Sequence, residues 1–453
     1  MKPKKKFLKQ AEKVAFDLEH RRKIKFNMGK YDAAVEKGMQ RFADFEAARD
    51  YVSDVKTDAI NNLGEYLEQF VENFEKNGGE VIFASNKSEA LLEIGRIMQK
   101  ESVKKVVKSK SMTTEEIGLN EYLESSGVEV LETDLGEFIV QQAGEKPYHI
   151  VTPAMHKSKK DVAELYHKKF GLPEDASVEE ITAYTRQYLR KQFVSADMGI
   201  TGANFLVADL GAIAVTENEG NALMSVSFPR VHVAIAGIEK VIPSYKDLGV
   251  IWQVLANRGT GQHITVYSNL IFGPKKDNEA DGPEKMYLIL LDNGRSNLLQ
   301  EPKHKAALKC IRCGACLNAC PIYRNIGGYT YDAVYSGPIG SVLMPFYGGL
   351  EQYGHLAFAC TLCRKCEEVC PARIPLPDLL LDLRNRYVES GQSSLAERLS
   401  MKAFAFAGKH PKIFDFGNPW IKNLFATLFV TRLWDKRRAF PKFKKPFKKI
   451  YRN

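Results

Sequence analysis

The chain begins with charged sequence in which apolar residues return at helical spacing. Between residues 51 and 76 they are Ile60, Leu63, Leu67, Phe70, Val71 and Phe74, which predicts an amphipathic helix. The Gly78-Gly79 pair ends it. Short apolar runs then alternate with helical stretches. Residues 81–84, 103–107, 128–131 and 149–152 read as strands, and residues 87–98, 113–125 and 157–170 as helices between them. Thr113 followed by Glu116 fits a capping box for the middle helix. Strand and helix in turn imply βαβ units and a sheet that is at least partly parallel. From residue 204 strands dominate, at 205–207, 212–216, 231–236, 264–268 and 287–291, with a helix inserted at 248–258. The pattern divides the chain into a helical N-terminal region (1–54), an α/β domain (55–300), a second module (301–395) and a C-terminal region with helix potential and a basic tail (396–453).

The second module holds all eight cysteines. Cys310-Ile-Arg-Cys313-Gly-Ala-Cys316-Leu-Asn-Ala-Cys320-Pro321 recurs fifty residues on as Cys360-Thr-Leu-Cys363-Arg-Lys-Cys366-Glu-Glu-Val-Cys370-Pro371. Both are C-x₂-C-x₂-C-x₃-C-P, the spacing of two-cluster bacterial ferredoxins. Three thiolates two residues apart wrap three corners of a cubane, and the fourth leads away on a helix to the other cluster. The expected ligands are Cys310, Cys313, Cys316 and Cys370 for one [4Fe–4S] cluster and Cys320, Cys360, Cys363 and Cys366 for the second. Structural zinc uses paired C-x₂-C units and rarely a third evenly spaced cysteine. The proline after each fourth cysteine suits the first turn of a helix. Gly314 lets the first loop pass close to a cluster. Arg364 stands at the matching place in the second loop, so its backbone must avoid positive φ or be strained, and its charge would raise that cluster's potential.

The net charge of +10 sits almost wholly at the end. Residues 432–452 contain ten Lys/Arg against the single acid Asp435, leaving about +1 for the rest. At 44% hydrophobic and 26% charged residues the chain reads as globular. No apolar run is long enough to cross a membrane, and the N-terminus lacks an export signal, so a cytoplasmic protein is expected. Residues 420–434 would form a helix with one wide apolar face, followed by the basic tail. That combination suits peripheral docking on a membrane surface or a partner, or packing against its own domain. Nucleic acid is not expected as a partner. No G-x-G-x-x-G precedes a helix, so a Rossmann nicotinamide site is not supported. A flavin stays open, because flavins bind without that motif in many folds.

In the α/β domain, Ser109-Lys110-Ser111 follows a strand and precedes a helix. Its N–H groups could hold a carboxylate, or it is a solvated turn with a helix cap. Glu217 and Asn218 lie at the carboxyl end of a strand, where ligands of α/β sheets gather. They are candidate substrate contacts, or else turn and capping residues. Asp134 and Glu137 either share a site or are surface acids. Catalytic residues stay unassigned.

The segments at 109–120, 132–137 and 208–221, followed in order by the two cysteine motifs, resemble the lactate utilization protein B family. The resemblance covers roughly residues 10–395 and implies a lactate-utilization (LUD) domain fused to an α-helical dicluster ferredoxin-type module. The LUD domain is similar to the fold of CoA transferases and sugar-phosphate isomerases. The resemblance further implies an iron–sulfur electron-transfer component of a bacterial system oxidising L-lactate to pyruvate. The implied partners are a CCG-domain lactate utilization protein, a second LUD protein and an electron acceptor of unknown identity. On this reading the chain is an oxidoreductase subunit rather than a complete enzyme. The alternative is a transferase- or ligase-like enzyme whose clusters are regulatory.

Overall fold

The computed structural model describes residues 3–410, 418–430 and 441–444. It forms two compact units, Met1–Arg386 and Tyr387–Asn453.

In the first unit, six strands make a parallel sheet: β1 (Glu80–Ala84), β2 (Lys105–Lys108), β3 (Glu129–Glu132), β4 (Met198–Gly202), β7 (Val231–Gly237) and β10 (Lys285–Leu291). Their order is β1-β10-β7-β4-β2-β3. A smaller sheet is built from β5 (Phe205–Val207), β6 (Ala212–Glu217), β8 (Val241–Ile242) and β9 (Tyr267–Ile271), in the order β8-β5-β6-β9. Parallel strands buried on both faces need apolar residues on both. β7 shows this: Val231, Val233 and Ile235 pack with Ile94, Ile97 and Leu123 on one side, while Ala234 and Ala236 pack with Phe70, Phe74 and Ile213 on the other.

The sheet order creates a switch point. The chain runs from β2 outward to β3 and from β4 inward to β7, so these neighbouring strands leave in opposite directions. Crevices at such points are the usual ligand sites of α/β sheets.

Four helices precede the sheet, Pro3–Phe16, Leu18–Met39, Phe45–Asn61 and Leu63–Lys76. Phe7, Ile24, Met28 and Ile60 from them join the core that contains Cys316, Cys320, Cys366 and Cys370. The cysteine region itself is made of short helices and loops, with the longer helices Gly337–Tyr347 and Leu376–Glu389 as its supports.

Several expectations need correction. Residues 149–152 form no strand; they are a loop packed beside the first cysteine loop. Met198–Gly202 and Val241–Ile242 are strands that the apolar pattern missed. The strand expected at 264–268 lies three residues later, at Tyr267–Ile271. The helix expected over 113–125 is broken at Gly118, which takes φ 66° and divides it into Met112–Ile117 and Leu119–Ser125. Its cap is Ser111, which accepts a hydrogen bond from Thr114 N, not Thr113. Glu116 is freed from capping and serves elsewhere.

In the second unit, Ser394 and Glu397 form a capping box for helix Leu395–Lys409, and Asn418 caps helix Pro419–Phe425, which runs into a π-helical turn at Ala426–Val430. The remainder of the expected 420–434 helix, and most of the basic tail, lie outside the described residues. No helix among the described residues is long and apolar enough to cross a membrane.

Candidate metal centres and the neighbouring sheet edge

The eight cysteines line two cavities, four to each. Cys310, Cys313, Cys316 and Cys370 surround one with about 360 Å³ of open space, together with Ile150, Ile339 and Leu376. Cys320, Cys360, Cys363 and Cys366 surround the other, about 350 Å³, with Pro338, Ser341 and Leu380. Each motif therefore contributes three cysteines to one cavity and its fourth to the other. The local cause is a short helix that carries the third cysteine and leads to the fourth, Ala315–Ala319 in the first motif and Lys365–Glu368 in the second. Four residues of helix advance the chain by about 6 Å, enough to leave one cavity and reach the next. The fourth cysteine thus follows a helix, as its C-cap at Cys320 and one residue past the cap at Cys370; it does not begin one as the spacing suggests. Pro321 and Pro371 sit in the turns that follow.

The two loops share a backbone. Arg312 and Leu362 take φ 60° and 55°, and Gly314 and Arg364 take 77° and 62°. Arg312 N donates to Cys310 Sγ at 3.4 Å, and Leu362 N to Cys360 Sγ at 3.3 Å. Arg364 does adopt the left-handed region that costs a side-chain-bearing residue roughly 1–2 kcal/mol. Its guanidinium reaches Asp378 at 3.0 Å and Glu367 at 2.8 Å on the exposed surface. That charge is neutralised locally.

The donor set fits iron–sulfur clusters. Burial pushes the Cys313 thiol up to about 12, and Cys310 and Cys370 add to it as neighbouring thiolates. Burial likewise raises Cys316, with Cys310, Cys313 and Cys370 adding to it. Four mutually repelling thiolates around one enclosed volume call for a cationic core. The sulfurs ring a volume rather than meet at a point: among the described residues, no group of three or more His, Cys, Asp or Glu is arranged to hold a single ion.

Around the first cavity lies a buried charge network that the spacing did not reveal. Arg295 is fully buried; its Nη1 and Nη2 donate to Glu116 at 2.9 Å each, and its Nε donates to Glu239 at 2.6 Å. The second Glu239 oxygen accepts from Arg312 Nη2 at 3.2 Å. Burial would raise Glu239, but Arg295 and Arg312 outweigh it and hold the carboxyl at about 2. Lys56 Nζ donates to the Glu239 carbonyl at 2.7 Å. Arg49, from the N-terminal helices, donates through Nη2 to the Cys370 carbonyl at 2.9 Å. The available signals were a charged residue between two ligands of the first motif, Arg312, and the charged pair Glu239-Lys240 soon after the apolar β7.

At the switch point, Ser109 N pairs with Ile200 O at 2.9 Å and Ser111 serves as helix cap. Ser111 packs so closely on β4 that a Cβ at Gly202 would lie 2.6 Å from its Oγ. Beside them Lys108 is buried and pairs with Glu132 at 2.7 Å. Glu137 is also buried, and burial with the nearby Glu132 holds its carboxyl far above the usual range. It is not a surface acid. Asp134 caps the helix Leu135–Gln142 by accepting from Glu137 N at 3.0 Å. Burial and Asp134 push Glu219 up to about 7. Glu217 accepts from Ala222 N and Leu223 N at 2.7 and 2.9 Å, capping the helix Asn221–Ser227. Asn218 faces another loop, exchanging hydrogen bonds with Gln262 at 3.0 Å. His149 lies against the first cysteine loop: a Cβ on Gly314 would lie 3.3 Å from its ring and 2.9 Å from Val151.

Two domains can thus be matched to what is known elsewhere. The LUD domain family matches residues 67–291, and the 4Fe-4S dicluster domain family matches residues 306–374. The protein joins an α/β LUD domain to a helical 4Fe-4S dicluster domain, as the family resemblance implies. Lactate utilization protein B of Bacillus licheniformis is 42% identical over 383 residues, covering 84% of this chain and 80% of that protein. The same figures hold for lactate utilization protein B of Bacillus subtilis (strain 168). An Escherichia coli (strain K12) protein, "Uncharacterized electron transport protein YkgF", is 41% identical over 382 residues, covering 84% and 80%. A DUF162 family protein of known crystal structure from Deinococcus radiodurans aligns with 51% of this chain and 98% of its own, at 12% identity and a TM-score of 0.30. The chain belongs to the lactate utilization protein B family.

Proposed function

We propose that this protein is the iron–sulfur electron-transfer component of a bacterial system that oxidises L-lactate to pyruvate. The observation that carries the reading is the pair of four-cysteine cavities inside one compact unit; the names of the relatives supply the substrate. Cys310, Cys313, Cys316 and Cys370 would hold one [4Fe–4S] cluster, and Cys320, Cys360, Cys363 and Cys366 the second. When bound, each cluster exchanges one electron at a time, and oxidation of a hydroxy acid to a keto acid releases two. The chain's own residues give the two centres different surroundings. The first is enclosed against the LUD domain by Ile150 and Arg312. The second has Cys363 exposed, which offers an exchange point to a partner.

Residues 109–111 are the proposed seat of the substrate carboxylate, with Lys110 as its cation and Ser109 and Ser111 shaping the turn; Glu217 and Asn218 hold the flanking loops. The partners on this reading are a CCG-domain protein and a second LUD protein. Trp420, Ile421 and Leu424 are exposed on the C-terminal helix ahead of the basic tail, a combination that suits peripheral contact with a membrane surface.

The test is anaerobic EPR on the cluster-loaded protein mixed with these partners, before and after L-lactate. Reduced [4Fe–4S] signals after lactate are expected. Clusters that dithionite reduces and lactate never does would overturn the reading.

A further inference from the structure

We propose that the buried Arg312 guanidinium holds up the reduction potential of the cluster bound by Cys310, Cys313, Cys316 and Cys370, with Glu239 as its positioning residue. Among the described residues no buried arginine lines the second cavity: Arg364 lines it but is exposed and paired with acids, and Arg384, which donates to the Cys360 carbonyl, is not part of the lining. The inference rests on the placement of one cluster in each cavity.

Arg312 lines the first cavity, and its side chain is only 9% exposed. It stacks over the Tyr335 ring at 4.7 Å and is tied to Glu239 at 3.2 Å. Its Nη1 is buried without a protein partner. Its contact with Glu239 is a single one at 3.2 Å, and Arg312 lines the cavity while Glu239 does not, so the cation is the nearer of the two charges. A positive charge therefore stays fixed beside the cavity. A four-iron cluster with four thiolates is anionic and gains a further negative charge on reduction, so a fixed cation in a poorly polarisable site favours the reduced form. The flanking Lys56 and Lys240 are less suited to this. Neither lines the cavity, and burial pulls them down to about 7 and about 8, whereas the Arg312 guanidinium lines it and keeps its proton. At the matching position in the second loop stands Leu362, and Arg364 is exposed and paired with Asp378 and Glu367.

The experiment is a mediator-based redox titration of the full, cluster-loaded chain, followed by EPR, without lactate or partners. It therefore fails or succeeds independently of the lactate reading. Arg312→Gln should lower one midpoint by at least a tenfold change in the one-electron equilibrium, about 59 mV, and leave the other in place. The unmoved signal should be the one that Cys363→Ala removes. Arg312→Lys should restore part of the shift. Glu239→Gln, which releases Arg312 from its counter-charge, should move the same midpoint upward; this arm decides the matter if Arg312→Gln loads no iron. Two unmoved midpoints, two that fall equally, or a fall with Glu239→Gln would overturn the proposal.

Discussion

The two cysteine loops have nearly the same sequence spacing and the same backbone, yet they sit in opposite surroundings. In the first, Ile311 and residues 313–318 are buried, and the loop is pressed against the 149–151 segment of the LUD domain. In the second, Thr361 and residues 363–365 are exposed. Arginines differ in the same way: Arg312 and Arg295 are buried and share Glu239, while Arg364 makes its ion pairs at the surface. An arginine also ties each module, Arg49 to the Cys370 carbonyl and Arg384 to the Cys360 carbonyl. The lesson is that the ligand spacing specifies the cage, while the rest of the chain decides what each cage can do.

The contrast is broken most severely at Arg295. Arg295→Ala would strip Glu116 of its buried cation and leave Glu239 with Arg312 alone, a loss of about 3–5 kcal/mol, read by denaturant unfolding. Arg364→Ala should leave the unfolding midpoint in place. A comparable effect of both would refute the contrast.

Acid tests the same network. Glu239 titrates at about 2 in the folded protein and near 4.3 when unfolded, so the unfolded chain takes up the proton first. Its contribution is fully present above about pH 4.3 and is lost as the pH falls toward 2, on the order of 3 kcal/mol. Unfolding measured between pH 5 and 2.5 should show this slope, and Glu239→Gln should flatten it.

Gly314→Ala should cost about 1–3 kcal/mol, because it combines a left-handed backbone with a Cβ 2.9 Å from Val151 Cγ2. The smallest effect is expected at Arg364→Gly. It relieves the same backbone conformation and gives up only exposed ion pairs, so the unfolding midpoint should rise slightly. A clear fall would mean that the surface pairs matter more than the backbone.

Much of this was legible in the sequence. The repeated cysteine spacing indicated two four-cysteine sets with exchanged fourth members, and the alternation of strands and helices indicated a parallel α/β sheet. What stayed hidden depends on long-range packing. Residues 149–152 have strand composition, but no strand pairs with them, and they fold as a loop against Gly314. Glu116 has the spacing of a capping residue, yet its carboxylate is drawn to Arg295, far along the chain. Arg364 drew notice because it replaces a glycine; the buried Arg312 did not, because burial is invisible in a loop motif. Lys108 and Glu132 read as ordinary polar positions until the parallel pairing of β2 with β3 sets them side by side at the switch point, and Glu137, one of the two acids singled out, is buried near them on the following helix.

The central claim is that each motif sends its fourth cysteine to the other's cavity, and two variants test it directly. Iron content and EPR of the reduced protein should show that Cys320→Ala loses about half of the iron and one cluster signal. Cys320→Ala combined with Cys363→Ala should lose no more, since both cysteines line the same cavity. A double variant stripped of both clusters would contradict the exchange, because it would place Cys320 with Cys310, Cys313 and Cys316.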